Sequence, residues 1–166
     1  MSTSSQRPTE LSLRAAMEAR DLAAALETFA PDAVVRSPFT DGLTFNGREQ
    51  IGAILGVVLD ALEDLRYVDE IHAGDRTVLL ATARVDGTAI ELVDHMVLDE
   101  RGRIRELTVF FRPLPAIAVA MRLIGTGLAR RRSGVRARLI ALLARPIGLI
   151  TAVGDRIGVR LVQRAL

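Results

Sequence analysis

The chain of 166 residues contains no cysteine, no tryptophan and a single tyrosine, and aromatic residues make up only 4% of it. Without cysteine, disulfides, thiolate nucleophiles and Cys-ligated metals are excluded. Because 49% of the residues are hydrophobic but few are aromatic, the core must be built from Leu, Ile, Val and Ala. The length suits one domain, or a domain of about 115 residues with an appendage, and either can bury a core.

Long apolar segments are also missing. The first eight residues have no apolar stretch and therefore show no secretory signal. The longest charge-free runs after residue 112 are nine residues, which is too short to cross a bilayer. These observations predict a cytoplasmic protein.

Lysine is absent, so that all 22 basic residues are arginine. Residues 1–115 hold 12 Arg and 19 Asp or Glu, a net charge of −7, whereas residues 116–166 hold 10 Arg and only Asp155, a net charge of +9. This split predicts either an anionic partner for the basic part or pairing of one part with the other.

The apolar periodicity predicts two helices followed by a series of strands. The helices are predicted at 10–29 and 48–62 with a short strand at 33–37, and the later strands at 65–72, 76–85, 89–98 and 103–111. The pair Asp86-Gly87 is typical of a two-residue hairpin turn. This order predicts an α+β domain, a curved antiparallel sheet with helices laid across one face.

The last two predicted strands flank a polar turn at 99–102 and form the hairpin around which the chain is organised. Alternation places Asp94 on one face together with Leu92 and Met96, and places His95 on the other face, at the sheet surface or a dimer interface. A carboxyl among large apolar side chains is either partnered or has a raised pKa. Asp94 is therefore the best candidate for a functional group, with a structural carboxyl as the alternative.

A change of composition follows Pro113 and Pro115, where three amphipathic helices are predicted within residues 116–164. Their arginines flank apolar faces, an arrangement typical of helices that lie on a surface. The tail can pack on the domain, on a second copy of the chain in a homodimer, or on an anionic membrane. Nucleic acid is not an expected partner, because the tail has no aromatic side chains for stacking.

In the order of its predicted helices and strands and in several short stretches of sequence, the segment 9–112 resembles the nuclear transport factor 2-like (NTF2-like) superfamily, specifically its SnoaL-like and ketosteroid-isomerase-like members. The resemblance rests on five short stretches: Arg20-Asp21-Leu22, Pro31-Asp32-Ala33-Val34-Val35, Phe45-Asn46-Gly47, Asp94-His95 and Asp99-Glu100-Arg101-Gly102-Arg103-Ile104. It implies a cone-shaped α+β fold with helices on the concave face of the sheet and a pocket opening there. On this division residues 1–8 form a flexible N-terminus and residues 113–166 a basic helical extension.

The resemblance also implies roles for individual positions. Asp94 falls where ketosteroid isomerases have the protonated Asp of their oxyanion hole. Ser37 stands where that family has its general-base Asp, and an unassisted Ser hydroxyl is a poor base near pH 7. The oxyanion Tyr position falls at Leu13, and the only tyrosine, Tyr67, lies elsewhere. Ketosteroid isomerisation by the family mechanism is therefore not expected.

Two classes of function are compatible with this sequence. The cone binds a small apolar molecule and acts as an isomerase, cyclase or hydratase, or it is a non-catalytic binding or dimerisation module held at the inner face of an anionic membrane by residues 116–166. An open cone with two or more polar groups around Asp94 would favour the first, and a cone filled by side chains the second.

The predicted site contains one hydrogen-bonding carboxyl and a mainly apolar surround. We expect Asp94 to donate a hydrogen bond to a ligand oxygen, so that Asp94→Asn weakens binding less than Asp94→Leu. No cofactor and no metal site is predicted, because two His on separate strands share no carboxylate motif. The residues predicted to contact the ligand are Leu13, Ser37, Phe39, Leu92, Met96 and Phe110.

Overall fold

The computed structural model describes residues 8–132, which form four helices and six strands. The helices are α1 (Pro8–Glu18), α2 (Leu22–Glu27), α3 (Gly47–Ala61) and α4 (Leu114–Arg132). The strands are β1 (Phe29–Arg36), β2 (Thr44–Asn46), β3 (Glu63–Ala73), β4 (Arg76–Val85), β5 (Thr88–Leu98) and β6 (Ile104–Arg112). The α+β class predicted from the sequence is confirmed.

The six strands form a single sheet in the order β2-β1-β6-β5-β4-β3. All neighbouring strands are antiparallel except β1 and β6, which run parallel. The sheet is therefore mixed, whereas the sequence predicted an antiparallel one. The β4–β5 connection is the expected tight turn, with positive φ angles of 48° at Asp86 and 71° at Gly87.

The prediction of one continuous helix at 10–29 is wrong, because the structure divides this segment into α1 and α2 at Arg20. This residue has a φ of 59°, and its guanidinium donates hydrogen bonds to the carbonyl groups of Leu59 and Leu62 at the end of α3. Asp21 then caps α2, since its Oδ1 accepts a hydrogen bond from the Ala24 amide at 2.9 Å. The break lets the chain turn while α1 stays beside the sheet.

The first strand begins at Phe29 and includes Pro31, a residue predicted to lie between the first helix and a strand at 33–37. The pairing of β1 with β6 is irregular between Phe29 and Val34. A proline can be accommodated there because it has no amide hydrogen to offer a regular ladder.

Helix α4 packs against α3 and against strands β4, β5 and β6. Its Ala116, Ala120 and Ile124 side chains are buried with the core of the domain. Gly127 lies so close to α3 that an added Cβ would be 2.5 Å from Cγ1 of Val57. The first of the three predicted tail helices thus covers the domain, and the other two lie outside the described residues.

Candidate functional site

The concave side of the sheet and the helices enclose a cavity of about 310 Å³. Strands β3, β5 and β6 form one side of it, and α1, α3 and α4 form much of the other. Most of its lining is apolar, including Met17, Val35, Phe45, Ile54, Leu55, Val58, Leu62, Leu65, Leu107, Val109, Phe111, Met121, Ile124 and Leu128. The cavity is therefore suited to a molecule with a mainly hydrocarbon surface.

Two polar side chains, Asp94 and Tyr67, meet in this apolar surround. Asp94 is 8% exposed and lines the cavity from β5. The hydroxyl of Tyr67, on β3, donates a hydrogen bond to Oδ2 of Asp94 at 3.1 Å. A phenol and a carboxyl in contact can form hydrogen bonds with a ligand or with each other without exposing either group to bulk water.

Burial determines the protonation of this pair. It raises the pKa of Asp94 from its ordinary value of 3.8 to about 6, although the hydrogen bond from Tyr67 acts in the opposite direction. Burial, together with the negative charge of Asp94, raises the pKa of Tyr67 well above its ordinary value of 10.0. Tyr67 therefore stays a hydrogen-bond donor near neutral pH, while Asp94 can exist in either form.

The interpretation that Tyr67 lies away from the site is wrong. Tyr67 reaches Asp94 across an intervening strand, because it pairs with Ala81 of β4, which pairs in turn with Leu92 of β5. The sequence carries a signal in Leu65-Arg66-Tyr67, where a charged residue separates an apolar and an aromatic one, and in the structure Leu65 and Tyr67 are buried while Arg66 is exposed. A strand, and not α1, thus brings a second polar side chain to the cavity beside Asp94.

Four of the six residues predicted to contact a ligand line the cavity together with Asp94: Leu13, Ser37, Phe39 and Leu92. The Ser37 Oγ accepts a hydrogen bond from the Phe39 amide at 3.2 Å. The Phe39 ring packs edge-on against Phe111, with their centroids 5.7 Å apart. The loop that follows β1 therefore brings a hydroxyl and an aromatic ring to the cavity.

The other two, Met96 and Phe110, do not reach the cavity. Met96 shares the inward face of β5 but is completely buried in the core, and Phe110 is 56% exposed on the outer face of the sheet. The reason is an irregularity in β6: Leu98 of β5 pairs with Ile104, but the preceding Val97 pairs with Glu106. As a result Leu92 pairs with Phe111. One extra residue in β6 thereby turns Phe111 inward and Phe110 outward.

The two histidines lie outside the cavity lining. His95 pairs with Thr108 and is half-buried on the outer face of β5, and His72 contacts Thr77 and Glu70 near the β3–β4 turn. Within residues 8–132, no group of three or more His, Asp or Glu side chains is placed to hold a metal ion. None of the described helices is long and apolar enough to traverse a bilayer.

The sequence profile of a family described as the SnoaL-like domain matches residues 12–107. Among solved structures, a steroid delta-isomerase from Pseudomonas aeruginosa has 28% identity and a TM-score of 0.65, over 78% of this chain and 92% of that one. A cystatin-like-fold protein from Silicibacter pomeroyi has 23% identity and a TM-score of 0.68, over 78% and 89% of the two chains.

A more distant structure is that of a protein assigned as a SnoaL-like polyketide cyclase from Shewanella denitrificans. It has 17% identity and a TM-score of 0.53, over 64% of this chain and 92% of that one. No curated protein matches the chain. These likenesses agree with the fold built up above from the strand order and the cavity.

Proposed function

The chain belongs to the SnoaL-like domain family of the NTF2-like superfamily, and on this premise we propose that its cone binds a small, mainly apolar molecule carrying a carbonyl or hydroxyl oxygen and catalyses an isomerase- or cyclase-type proton transfer on it. The observation that carries the proposal is the buried Tyr67–Asp94 pair in an otherwise apolar cavity of about 310 Å³. The similarity to a steroid delta-isomerase supports a ligand of this kind.

Asp94 is the group that exchanges the proton. With a pKa of about 6, it is mainly ionised at pH 7 and is a stronger base than an ordinary carboxylate. It accepts a proton from a carbon next to the carbonyl and returns it to another atom of the same molecule, so that the net reaction is a rearrangement. Below its pKa the protonated carboxyl is the hydrogen-bond donor predicted from the sequence.

Tyr67 and Ser37 have supporting roles in this proposal. The Tyr67 hydroxyl holds the acceptor oxygen of Asp94 at 3.1 Å and limits how far burial raises its pKa. Ser37 lines the same cavity and offers a hydroxyl to a polar atom of the ligand. The apolar walls exclude water, which strengthens both the hydrogen bonds and the base.

The non-catalytic alternative is less well supported by the described residues. The cone is open rather than filled by side chains, and two polar groups converge in it. In that alternative the apolar faces of residues 116–166 bind a membrane. The apolar face of α4, however, is buried against the domain. A membrane contact would have to come from the residues beyond Arg132.

Binding is tested with 2-naphthol, a bicyclic probe with one oxygen, against naphthalene, which has the same rings without it. Calorimetry with the full chain should show tighter binding of 2-naphthol. Asp94→Asn should weaken 2-naphthol binding less than Asp94→Leu, because only the amide retains a group that can form a hydrogen bond with the probe. Equal binding of the two probes would contradict a polar contact at Asp94.

Proton transfer is tested with 2-tetralone, an apolar bicyclic ketone, by following the exchange of its α-protons with D₂O by NMR. The protein should accelerate exchange above the buffer rate, increasingly so as the pH passes 6, and Asp94→Asn should abolish the acceleration. Glu91→Gln is the matched control, since Glu91 lies on β5 but is exposed on the outer face. Loss of acceleration in the control, or none in the wild type, would contradict the catalytic role.

A further inference from the structure

The backbone of Tyr67 is held by side chains of helix α1. Strand β3 is the last strand on its side of the described sheet. At Tyr67, Oε1 of Glu18 accepts a hydrogen bond from the backbone N–H at 2.8 Å. Nη2 of Arg14 donates a hydrogen bond to the backbone carbonyl at 2.8 Å. Two side chains from one helix therefore bind both backbone polar groups of a single residue.

Arg14 and Glu18 form a single unit, because they lie one helical turn apart with Arg14 Nε 4.0 Å from Glu18 Oε1. The Arg14 guanidinium also lies 3.8 Å from Oε2 of Glu70, further along β3. Leu13 and Met17, beside this pair on α1, line the cavity. The same helix therefore forms a wall of the cavity and fixes the edge strand. We call Arg14 and Glu18 the α1 clamp.

The position of the α1 clamp coincides with a break in strand pairing. The register of β3 against β4 shifts between Tyr67 and Asp69, and Val68 there is 62% exposed. A bulge allows the strand more than one local path, and a hydrogen bond weakens steeply as its distance and angle depart from the optimum. The direction of the Tyr67 phenol thus depends on contacts outside the ladder.

From these contacts we propose that Arg14 and Glu18 are positioning residues, which fix the backbone of Tyr67 so that its hydroxyl meets Asp94 in the cavity. The inference deepens the proposed function, because it concerns the pair on which that function rests. Neither Arg14 nor Glu18 is among the residues that line the cavity. The α1 clamp acts through Tyr67 alone.

The test uses the intrinsic fluorescence of Tyr67, the only tyrosine in a chain without tryptophan. A phenol hydrogen-bonded to a carboxylate is quenched, so that the wild-type signal should rise as Asp94 is protonated, with a midpoint of about pH 6. Asp94→Asn and Tyr67→Phe should remove this transition. In Arg14→Ala and in Glu18→Ala the fluorescence change with pH should be much smaller than in the wild type. Its midpoint should also lie at higher pH, because Asp94 has lost the Tyr67 hydrogen bond that lowers its pKa.

Two control variants separate positioning from general stability. Glu18→Gln keeps an oxygen acceptor for the Tyr67 amide and should restore the transition. Arg48→Ala removes another guanidinium that donates to a backbone carbonyl, that of Phe29 at 2.7 Å, and should leave the transition unchanged even if it lowers the unfolding midpoint. If Glu18→Ala does not fold, Arg14→Ala decides, because it leaves the Glu18 bond in place.

The positioning role of the α1 clamp would be overturned if Arg14→Ala and Glu18→Ala both showed the fluorescence transition with the amplitude and midpoint of the wild type. It would also be overturned if the transition persisted in Asp94→Asn. No ligand enters this measurement. Failure of the proposed function, seen as no binding of 2-naphthol and no exchange of 2-tetralone, is therefore distinguishable from failure of the clamp.

Discussion

The sheet side of the cavity, on β3 and β5, differs from its helical side, on α3 and α4, in composition and in the interactions that hold it. Strand pairing and the α1 clamp fix the sheet side, which carries Tyr67 and Asp94. The helical side lies close because small residues such as Ala116, Ala120 and Gly127 let α4 approach. The sheet side thus carries the polar pair and the helical side encloses it, and each should respond to its own kind of substitution.

The largest effect is expected at Asp94, where the sheet side carries a destabilising charge. The folded pKa of about 6 exceeds the ordinary 3.8, so the protonated form favours folding and stability falls as the pH rises from about 4 to above 6. At about 1.4 kcal/mol per pH unit, the difference amounts to about 3 kcal/mol. Asp94→Asn should therefore be more stable than the wild type at pH 8 by up to that amount.

This is measured by urea unfolding of both proteins at pH 8 and at pH 4. The amide still accepts the Tyr67 hydrogen bond, so the comparison isolates the charge. The advantage of Asp94→Asn should shrink through pH 6 and vanish near pH 4. Because Asp99 and Glu106 have pKa values lowered by hydrogen bonds from Arg103 and Arg36, only the difference between the two proteins is informative. Parallel pH profiles would contradict the buried charge.

The second effect concerns the helical side and the close approach of α4 to α3. In Gly127→Ala the new Cβ would lie 2.5 Å from Cγ1 of Val57, a branched side chain with little rotamer freedom. We expect overpacking to cost about 1–3 kcal/mol, offset in part by the better helix propensity of alanine, and we expect little change in the pH dependence due to Asp94. Thermal unfolding measures the first and the fluorescence transition of Tyr67 the second.

Gly52→Ala is the matched control within α3. Its new Cβ would contact the Cδ1 methyl of Leu26 at 3.1 Å, the end of a flexible side chain that can move. Alanine also has a helix propensity about 1 kcal/mol better than glycine. The control should therefore be neutral or stabilising, and equal losses in both variants would show that the contact with Val57 is not special.

The sequence predicts the features that local residues determine and misses those that depend on distant contacts. Alternation in β5 correctly places Asp94 inward, because a period of two needs only local residues. The outward direction of Phe110 does not follow from the sequence, because the bulge in β6 depends on pairing with β5 and shifts the register by one residue. The division at Arg20 does not follow from it either, because the bonds that hold it go to Leu59 and Leu62, far along the chain.

The Tyr67–Asp94 contact lies beyond local pattern for a further reason. The two residues are 27 positions apart, and the register of two successive strand pairs must be known before their side chains can be brought together. The parallel pairing of β1 with β6 is of the same kind, since it joins the first strand to the last. The predicted site differs from the observed one because the register between strands that are distant in the sequence cannot be read from local patterns.

A third prediction concerns the hydrogen bond within the sheet side. Tyr67→Phe removes the donor to Asp94 but keeps the ring, and a hydrogen bond to a charged group contributes about 1.5–3 kcal/mol. We expect a loss of about 1–2 kcal/mol at pH 8 and a smaller loss at pH 4, where Asp94 is protonated. The pKa of Asp94 should rise, because the Tyr67 bond lowers it. Carboxyl ¹³C NMR measures that pKa directly, and an unchanged value would show that the bond is not formed in solution.

The smallest effect is expected from trimming the helical side, where side chains contribute contact area and no charge. Met121 and Leu128 of α4 both line the cavity and are half-buried. Replacing either by alanine removes two or three carbons from the wall, each contributing about 0.8 kcal/mol only if a ligand fully covers it. With partial coverage, 2-naphthol should bind about three- to tenfold more weakly. The pH dependence of binding should not change, because neither side chain carries a charge or titrates. Calorimetry between pH 5 and pH 8 measures both quantities, with Leu114→Ala, an exposed position on the same helix, as the control. A shifted pH midpoint in Met121→Ala or Leu128→Ala would mean that the helical side also sets the protonation of Asp94, and the two sides would then act as one.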